Sequence, residues 1–463
     1  MEKINRRTFI KNIGAGTAVV GAAALAGCEG KNNPLVDSTS ALGEIPTDQM
    51  TYRTNPKTGE KVSILGYGCM RWPMKPKEDG EGEELDQEQI NRLVDCALEH
   101  GVNYFDTAPV YCQGQSEKAT GIALARHPRD SYFIATKLSN FSPDTQTYEG
   151  SVGMYKNSLK ELQTDYIDYL LLHALGGNIG DFYHRFVDNG VMEFLMKERE
   201  AGRIRNLGFS FHGGKDGFDK LMELHETYHW DFVQIQMNYL DWSKSFDWQN
   251  AEFTAEYLYK ELEKRNIPVV IMEPLLGGRL AKVNEHVAGQ LKQAEPERSI
   301  ASWAFRFCGT WPGVLTVLSG MTYMEHLEDN LRSFCPLKPL TEDEVAMLGR
   351  MAQEILKYPN IPCTACQYCM PCPYGLDIPG IFAHYNKCVN EGNMLVSSAD
   401  ENYRKARRAF LVGYDRSVPR LRQADHCIRC GRCLEHCPQH INIPEQMDKI
   451  NQYAETLKQE LEF

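Results

Sequence analysis

The run Ile167-Asp168-Tyr169-Leu170-Leu171-Leu172, followed directly by His173, decides the fold of this 463-residue chain. It is too short for a helix of ordinary length and carries one charge. It therefore matches a strand buried on both faces, as strands are in a parallel sheet. Seven similar runs surround it: Val62-Ser63-Ile64-Leu65-Gly66, Asn103-Tyr104-Phe105-Asp106, Tyr132-Phe133-Ile134-Ala135-Thr136, Ile204-Arg205-Asn206-Leu207-Gly208, Phe232-Val233-Gln234-Ile235-Gln236, Val269-Val270-Ile271-Met272 and Val314-Leu315-Thr316-Val317-Leu318. The intervals carry helical periodicity, as in Gln87 to Glu99 and Thr254 to Lys264. Eight strand–helix units in succession predict an α/β chain built on a closed (β/α)8 TIM barrel.

Composition agrees with a chain that folds around large cores. Hydrophobic residues make up 42% and charged residues 24%, which excludes a disordered, collagen-like or multi-span membrane protein. The 62 acidic residues outnumber the 50 basic ones, for a formal charge of -12. Nucleic acid is excluded as an expected partner, because phosphate binding needs a basic face.

In such a barrel the chemistry sits at the C-terminal ends of the strands. Four ionisable residues stand there: Asp106 after the second run, Tyr111 five residues on, Lys137 after the third and His173 after the fourth. Singly, each has an ordinary structural explanation as a cap, a solvated lysine or a packed histidine. Together, at successive strand ends, they point to catalysis.

With these four in the contexts Phe105-Asp106-Thr107-Ala108, Thr136-Lys137 and Leu172-His173, the region from Lys61 to Leu331 resembles the aldo-keto reductases. The resemblance implies that Asp106, Tyr111, Lys137 and His173 are catalytic, with His173 orienting the carbonyl and hydride coming from a reduced nicotinamide. Reducing a carbonyl needs a proton donor at its oxygen, and an isolated phenol with pKa of about 10 is a poor one at neutral pH. A neighbouring ammonium favours the phenolate, so under this resemblance Lys137 is expected to draw the pKa of Tyr111 down, with Asp106 fixing the lysine. The resemblance also implies dinucleotide contacts at Ser210, Gln236, Ser319, Gly320 and Asn330. Departures stand beside them. Phe211 follows Ser210 where the family usually has Asn, Met272 replaces a stacking aromatic, and Glu325 lies near the subsite that would hold a 2′-phosphate. NAD(P), a flavin or no organic cofactor all stay open.

The cysteines are unevenly placed, nine of the fifteen lying after residue 360. They spell Cys363-x2-Cys366-x2-Cys369-x2-Cys372-Pro373 and Cys427-x2-Cys430-x2-Cys433-x3-Cys437-Pro438. Soft thiolates at such spacing select zinc or iron–sulfur, and a disulfide knot is the third reading. Three close cysteines plus a remote Cys-Pro, given twice, resemble the bacterial two-cluster ferredoxins, in which the fourth cysteine ligates the other cluster. That resemblance implies one [4Fe-4S] centre on Cys363, Cys366, Cys369 and Cys437 and a second on Cys427, Cys430, Cys433 and Cys372. The segment between the motifs is rich in helix formers, so a mainly α-helical ferredoxin-like domain is expected. Its basic run of Arg404, Lys405, Arg407 and Arg408 reads as a solvated helix face.

At the other end, Asn5-Arg6-Arg7-Thr8-Phe9-Ile10-Lys11 resembles a twin-arginine export signal, and Leu25-Ala26-Gly27-Cys28 resembles a lipoprotein box. The expected organisation is a signal over 1–27, a tether over 28–50, the barrel over 51–335 and the cluster domain over 336–463. The expected protein is an exported, membrane-anchored lipoprotein on the periplasmic side, held by lipid at Cys28. It would interconvert a small-molecule carbonyl and alcohol, with two [4Fe-4S] clusters relaying electrons to or from a redox partner protein. The alternative is an electron-transfer subunit whose barrel is a non-catalytic docking body. The aromatics Tyr239, Trp242 and Trp248 suggest an aromatic-lined pocket or ordinary packing.

Overall fold

A computed structural model of the chain describes residues 44–176, 178–245, 253–395 and 400–459. The expected signal, Cys28 and Trp248 lie outside the described residues. Among the described residues no helix is long and apolar enough to cross a membrane.

Eight parallel strands close into a barrel: β1 Leu65–Gly68, β2 Tyr104–Asp106, β3 Phe133–Leu138, β4 Ile167–Leu175, β5 Ile204–Phe211, β6 Phe232–Gln236, β7 Val269–Met272 and β8 Val314–Ser319. They follow one another around the barrel in chain order, with β8 paired to β1 and β5 to β6. The pleat alternates which side chains face inward. Tyr104, Ala135, Tyr169, Leu171, Phe232 and Val270 form the filling of the barrel. Their chain neighbours Phe105, Ile134, Leu170, Leu172, Val233 and Ile271 belong to the larger core under the helices. Tyr169 is the hub of the filling, its ring centroid 5.0 Å from that of Tyr104 and 5.1 Å from that of Phe232. Carrying the same parity upward points Asp106, Lys137, His173, Ser210, Gln234 and Gln236 into the barrel mouth.

One of the expected runs is re-divided and two are longer than expected. Lys61–Ser63 pairs antiparallel with Tyr52–Thr54 as a hairpin, and the barrel strand begins only at Leu65. The hairpin closes the base of the barrel, where Asn55 Nδ2 donates to the Tyr169 hydroxyl at 3.1 Å and Val62 joins the interior. β4 and β5 run on past Leu172 and Gly208, so His173 and Ser210 are strand residues and not the first loop residues after the strands.

The helix Glu342–Leu356 starts at a capping box between Thr341 and Glu344. It packs Leu348, Met351, Ala352 and Ile355 into the barrel's core, although the sequence reading placed it in 336–463. Its apolar stripe faces barrel helices, which the change of periodicity alone could not reveal. Beyond it, the helices Ile378–Asn390, Tyr403–Ser417 and Ile443–Gln459 enclose a separate core around Phe382, Phe410, Tyr414, Met447 and Ile450. Both cysteine motifs lie in irregular loops beside that core. Of the basic run, Arg404, Lys405 and Arg408 are exposed, whereas Arg407 donates to the Leu457 carbonyl at 2.6 Å.

The two cores are bonded across the barrel mouth. Arg71 Nη2 donates to the Thr364 carbonyl at 2.6 Å, and Gln439 Nε2 donates to Gln236 Oε1 at 2.9 Å. Gly277, at φ +66°, lies so close that a Cβ there would fall 2.2 Å from the Thr364 oxygen.

Candidate functional site

The barrel brings the four expected catalytic residues together. Asp106 is the last residue of β2, Lys137 lies near the end of β3, and His173 lies in β4. Lys137 Nζ donates to Asp106 Oδ1 at 2.5 Å and to the Thr107 carbonyl at 2.8 Å, and both side chains are buried. Burial pushes the Asp106 carboxyl up, and Lys137 pulls against that shift. Tyr111 follows in the loop after β2. Its ring stands 5.9 Å from the imidazole of His173, edge to face, and 4.8 Å from Lys137 Nζ.

The expectation that Lys137 draws the phenol pKa down is corrected by this geometry. The ammonium is bonded to Asp106 and Thr107 and lies over the Tyr111 ring. Burial raises the phenol well above its ordinary value, and the neighbours Tyr368 and Asp106 add to the rise. His173 moves the other way: burial first, then Lys137 and Arg185, hold it well below the usual range for histidine. Its Nδ1 shares a 2.6 Å hydrogen bond with Ser139 Oγ, and Arg185 Nη2 donates to its carbonyl at 2.8 Å. The lowered pKa favours the neutral imidazole, which is fixed at Nδ1, and Nε2 is left to a contact outside β4.

That Nε2 meets a residue which the sequence reading missed. Tyr368, between Cys366 and Cys369, places its hydroxyl 3.4 Å from His173 Nε2 and interacts with the phenol of Tyr111. A cavity of about 370 Å³ opens here, with Asp106, Tyr111 and Gln234 on the barrel side and Cys366, Tyr368 and Gln439 on the other. Nothing in the local sequence marks Tyr368 beyond its place inside a cysteine motif. His212 and Glu273, also cavity-lining, were missed as well. Burial, with a contribution from His440, lowers His212 to about 4, and burial raises the carboxyl of Glu273 against the pull of Arg71.

The dinucleotide contacts implied by resemblance divide into two groups. Ser319, Gly320 and Asn330 line the cavity, with Asn330 Nδ2 donating to Ser319 Oγ at 2.7 Å. Ser210 Oγ instead accepts from the Ala174 N–H at 2.8 Å, and the Gln236 amide is bonded to Asp241 and Gln439. Neither of these two lines the cavity. Buried atoms of Gln234 (Oε1) and His326 (Nε2), both on cavity-lining residues, have no hydrogen-bond partner among the described residues. Such groups are costly to bury unless a ligand or water satisfies them, so the cavity fits a polar organic molecule. Trp242 stacks on Trp311 at 4.1 Å and Tyr239 is buried in the core, so these aromatics serve packing.

The eight motif cysteines gather as two fours. Burial and then the sulfurs of its own set push Cys369 up to about 12, those sulfurs being Cys366, Cys363 and Cys437. Burial likewise raises Cys433 to about 11, with Cys427, Cys430 and Cys372 as its sulfur neighbours. The second four lines a cavity of about 430 Å³ whose other walls include Leu376, Ile378 and Met447. No group of three His, Cys, Asp or Glu side chains among the described residues closes on a point, as a single ion would require. Two sets of soft donors around an apolar space fit iron–sulfur clusters, which would bind them as thiolates. Cys388 is a buried thiol 3.6 Å from His384 Nε2, Cys69, Cys308 and Cys335 are buried, and Cys96 and Cys112 are partly so.

Comparison with known proteins agrees with both halves. The sequence pattern of the aldo/keto reductase family matches residues 64–352, and that of a 4Fe-4S dicluster domain matches residues 362–442. An uncharacterized oxidoreductase of Bacillus subtilis, YqkF, is 27% identical over 330 residues, covering 64% of this chain and 95% of that protein. The aldo-keto reductase YhdN of the same organism is 27% identical over 311 residues, covering 59% of this chain and 89% of that protein. Among solved structures, the holo form of aldo-keto reductase AKR11C1 from Bacillus halodurans superposes with a TM-score of 0.51 at 24% identity, over 66% of this chain and 96% of that one.

Proposed function

We propose, for a chain that belongs to the aldo/keto reductase family and carries a 4Fe-4S dicluster domain behind its barrel, that it interconverts a carbonyl and an alcohol at the barrel mouth while two [4Fe-4S] clusters relay the electrons. One observation carries this reading: Asp106 and Tyr111 share a single cavity with Cys366 and Tyr368, so the acid–base groups and the first cysteine set adjoin. Cys363, Cys366, Cys369 and Cys437 would hold one cluster, and Cys427, Cys430, Cys433 and Cys372 the other. When bound, clusters supply electrons singly, and a reduced nicotinamide in the cavity would supply a hydride.

Converting a carbonyl to an alcohol takes two electrons and two protons. The phenol of Tyr111 carries its proton at neutral pH and can give it to the developing alkoxide, the stronger base, although its raised pKa makes it the weaker acid. Lys137, bonded to Asp106, lies 4.8 Å from the phenol ring and keeps a positive charge beside the reacting groups. The tautomer in which Ser139 donates to Nδ1 presents an Nε2–H of His173 to the carbonyl oxygen. Ser319, Gly320 and Asn330 would contact a dinucleotide along the same cavity.

A second reading, in which the barrel is a docking body for an electron-transfer subunit, draws on Tyr368. Its hydroxyl stands against His173 Nε2, the atom assigned to the carbonyl. One experiment separates the two. The cluster-loaded protein is assayed anaerobically on small aldehydes and alcohols, with reduced or oxidised nicotinamide and with a one-electron donor or acceptor. Tyr111→Phe is expected to lose about 10²–10⁴-fold in turnover while keeping its iron. No turnover by the parent, with electron throughput unchanged in Tyr111→Phe, would establish the carrier reading instead. Iron content unchanged in Cys369→Ser would overturn the cluster assignment.

Export and lipid anchoring at Cys28 belong to the same proposal and are supported by the twin-arginine and Leu-Ala-Gly-Cys motifs. Fractionation tests them: the parent should pellet with membranes, and Cys28→Ala should leave the membrane fraction.

A further inference from the structure

β4 loses its regular pairing at the residue that carries the imidazole. Leu172 pairs with Phe209 and Leu175 with Phe211, so His173 and Ala174 of β4 stand opposite the single residue Ser210 of β5. Two residues against one make a β-bulge, which is rare between parallel strands, bends its strand and re-aims a side chain. Ala174 takes the bend with φ at +53°, a left-handed backbone that is strained for any residue with a Cβ. The alternation of side chains shifts there too. Tyr169 and Leu171 fill the barrel and His173 continues their parity, yet Leu175, two residues on, lies with Phe211 in the core outside it.

Two buried side chains bond the backbone of the bulge. Ser210 Oγ accepts from the Ala174 N–H at 2.8 Å. Arg185 donates Nη2 to the His173 carbonyl at 2.8 Å and Nη1 to the Ala174 carbonyl at 3.5 Å. The guanidinium is itself fixed, since Nε and Nη2 both donate to Asn140 Oδ1, at 3.2 and 3.1 Å, and Nη1 donates to Asp181 Oδ2 at 3.0 Å.

The supports of these two side chains converge on the same histidine. Arg185 projects from a π-type turn, Tyr183–Val187, in which the Asp188 N–H reaches back to the Tyr183 carbonyl at 2.9 Å. Such turns are rare and recur at functional sites. The three residues after β3 complete the arrangement. Ser139 shares the bond to His173 Nδ1, Asn140 holds Arg185, and the ring centroid of Phe141 lies 5.1 Å from that of the imidazole.

We propose that Ser210 and Arg185 are positioning residues, which hold the bulge so that the His173 ring keeps its aim at the reacting oxygen. Ser210 thereby serves His173 and not a nicotinamide amide. The catalytic consequence rests on the carbonyl–alcohol reading, whereas the clamp on the bulge is measured without turnover.

The test uses the cluster-loaded full chain and amide hydrogen exchange read by mass spectrometry. In Ser210→Ala, peptides spanning residues 172–176 should exchange about fivefold faster, as the loss of one hydrogen bond predicts, with the other strands unchanged. Arg185→Lys keeps the charge but not the planar fork, and it should loosen the same peptides. In carbonyl reduction each variant should lose up to about 100-fold in kcat, the effect of a small misplacement, with KM for the nicotinamide unchanged. Ala174→Gly removes the cost of the left-handed backbone, so adding it to Ser210→Ala should recover most of the lost kcat. Unchanged exchange at 172–176, faster exchange throughout the barrel, kcat at the parent level in both variants, or a raised KM for the nicotinamide as the sole effect of Ser210→Ala would each overturn the proposal. Local loosening in a protein whose parent turns over no carbonyl would leave the clamp standing and remove only the reductase reading.

Discussion

The hydroxyl of Tyr368 lies 3.4 Å from Nε2 of His173, joining a cysteine loop of one core to a strand of the other. A substrate oxygen polarised by His173 and protonated by Tyr111 would need the position this hydroxyl holds. Tyr368→Phe keeps the ring packing, edge-on to the imidazole at 6.2 Å, and removes the competing group. One hydrogen bond of this kind is worth about 1 kcal/mol, so KM for a small carbonyl should fall about fivefold with kcat little changed. Steady-state kinetics on the cluster-loaded variant decide it. A raised KM would mean that Tyr368 binds the substrate and does not compete with it.

Lys137 and Asp106 are a buried ion pair, and their energetic roles follow from what each leaves behind when the other is removed. Asp106→Ala strands a buried ammonium with only the Thr107 carbonyl as partner, which should cost about 3–5 kcal/mol of folding stability. Adding Lys137→Met to that variant removes the stranded charge and should recover most of the loss. Urea unfolding of the parent, the single and the double variant measures both steps. If the double variant is no more stable than the single, the pair is not the source of the cost.

How much of this was legible in sequence can be judged at particular residues. The strand of Tyr169 to Leu172 and its seven counterparts were readable because a strand buried on both faces leaves a short unbroken apolar run. Asp106, Lys137 and His173 followed, since the pleat carries those positions inward at the top. The length of β4 was not legible: His173 breaks the apolar run, and pairing to β5 resumes at Leu175 only after an irregularity past Leu172. The effect of Lys137 on Tyr111 was misjudged because spacing along the chain does not say whether an ammonium faces the hydroxyl or the ring. Tyr368 left no trace, because a contact between cores nearly two hundred residues apart has no local period. The cysteine sets were the most legible feature, since a cluster's ligands are written directly as residue types.

Two buried titratable groups give stability opposite slopes with pH. Burial raises Glu117 from 4.5 to about 7, with the Thr136 hydroxyl donating to its Oε1 at 2.5 Å. A raised acid favours folding while it is protonated, so its contribution is present below pH 4.5 and lost as pH rises through about 7. His212 is lowered from 6.5 to about 4, so its contribution is present above pH 6.5 and lost as pH falls towards about 4. In the parent the two slopes partly cancel. Against the parent, Glu117→Gln should gain stability as pH rises through this range, and His212→Gln should gain as it falls. Urea midpoints across pH check both, and variant curves parallel to the parent's would refute the assignment.

The seam between the two cores has its own test in two adjacent glycines. Gly277 and Gly278 both have left-handed backbones, at φ +66° and +96°. An alanine at either position incurs the same kind of backbone strain, about 1–2 kcal/mol. They differ in surroundings. A Cβ at Gly277 would lie 2.2 Å from the Thr364 oxygen, whereas at Gly278 nothing stands within 4 Å. Backbone oxygen cannot swing aside as a side chain can, so Gly277→Ala must push the Thr364 segment away and with it Cys363 and Tyr368. Gly278→Ala should lower the melting temperature modestly and leave a single transition. Gly277→Ala should instead split the thermal unfolding into two steps, barrel and cluster domain separately, and should abolish the effect of Tyr368→Phe on KM. If the two alanine variants melt alike, the Thr364 approach does not hold the cores together.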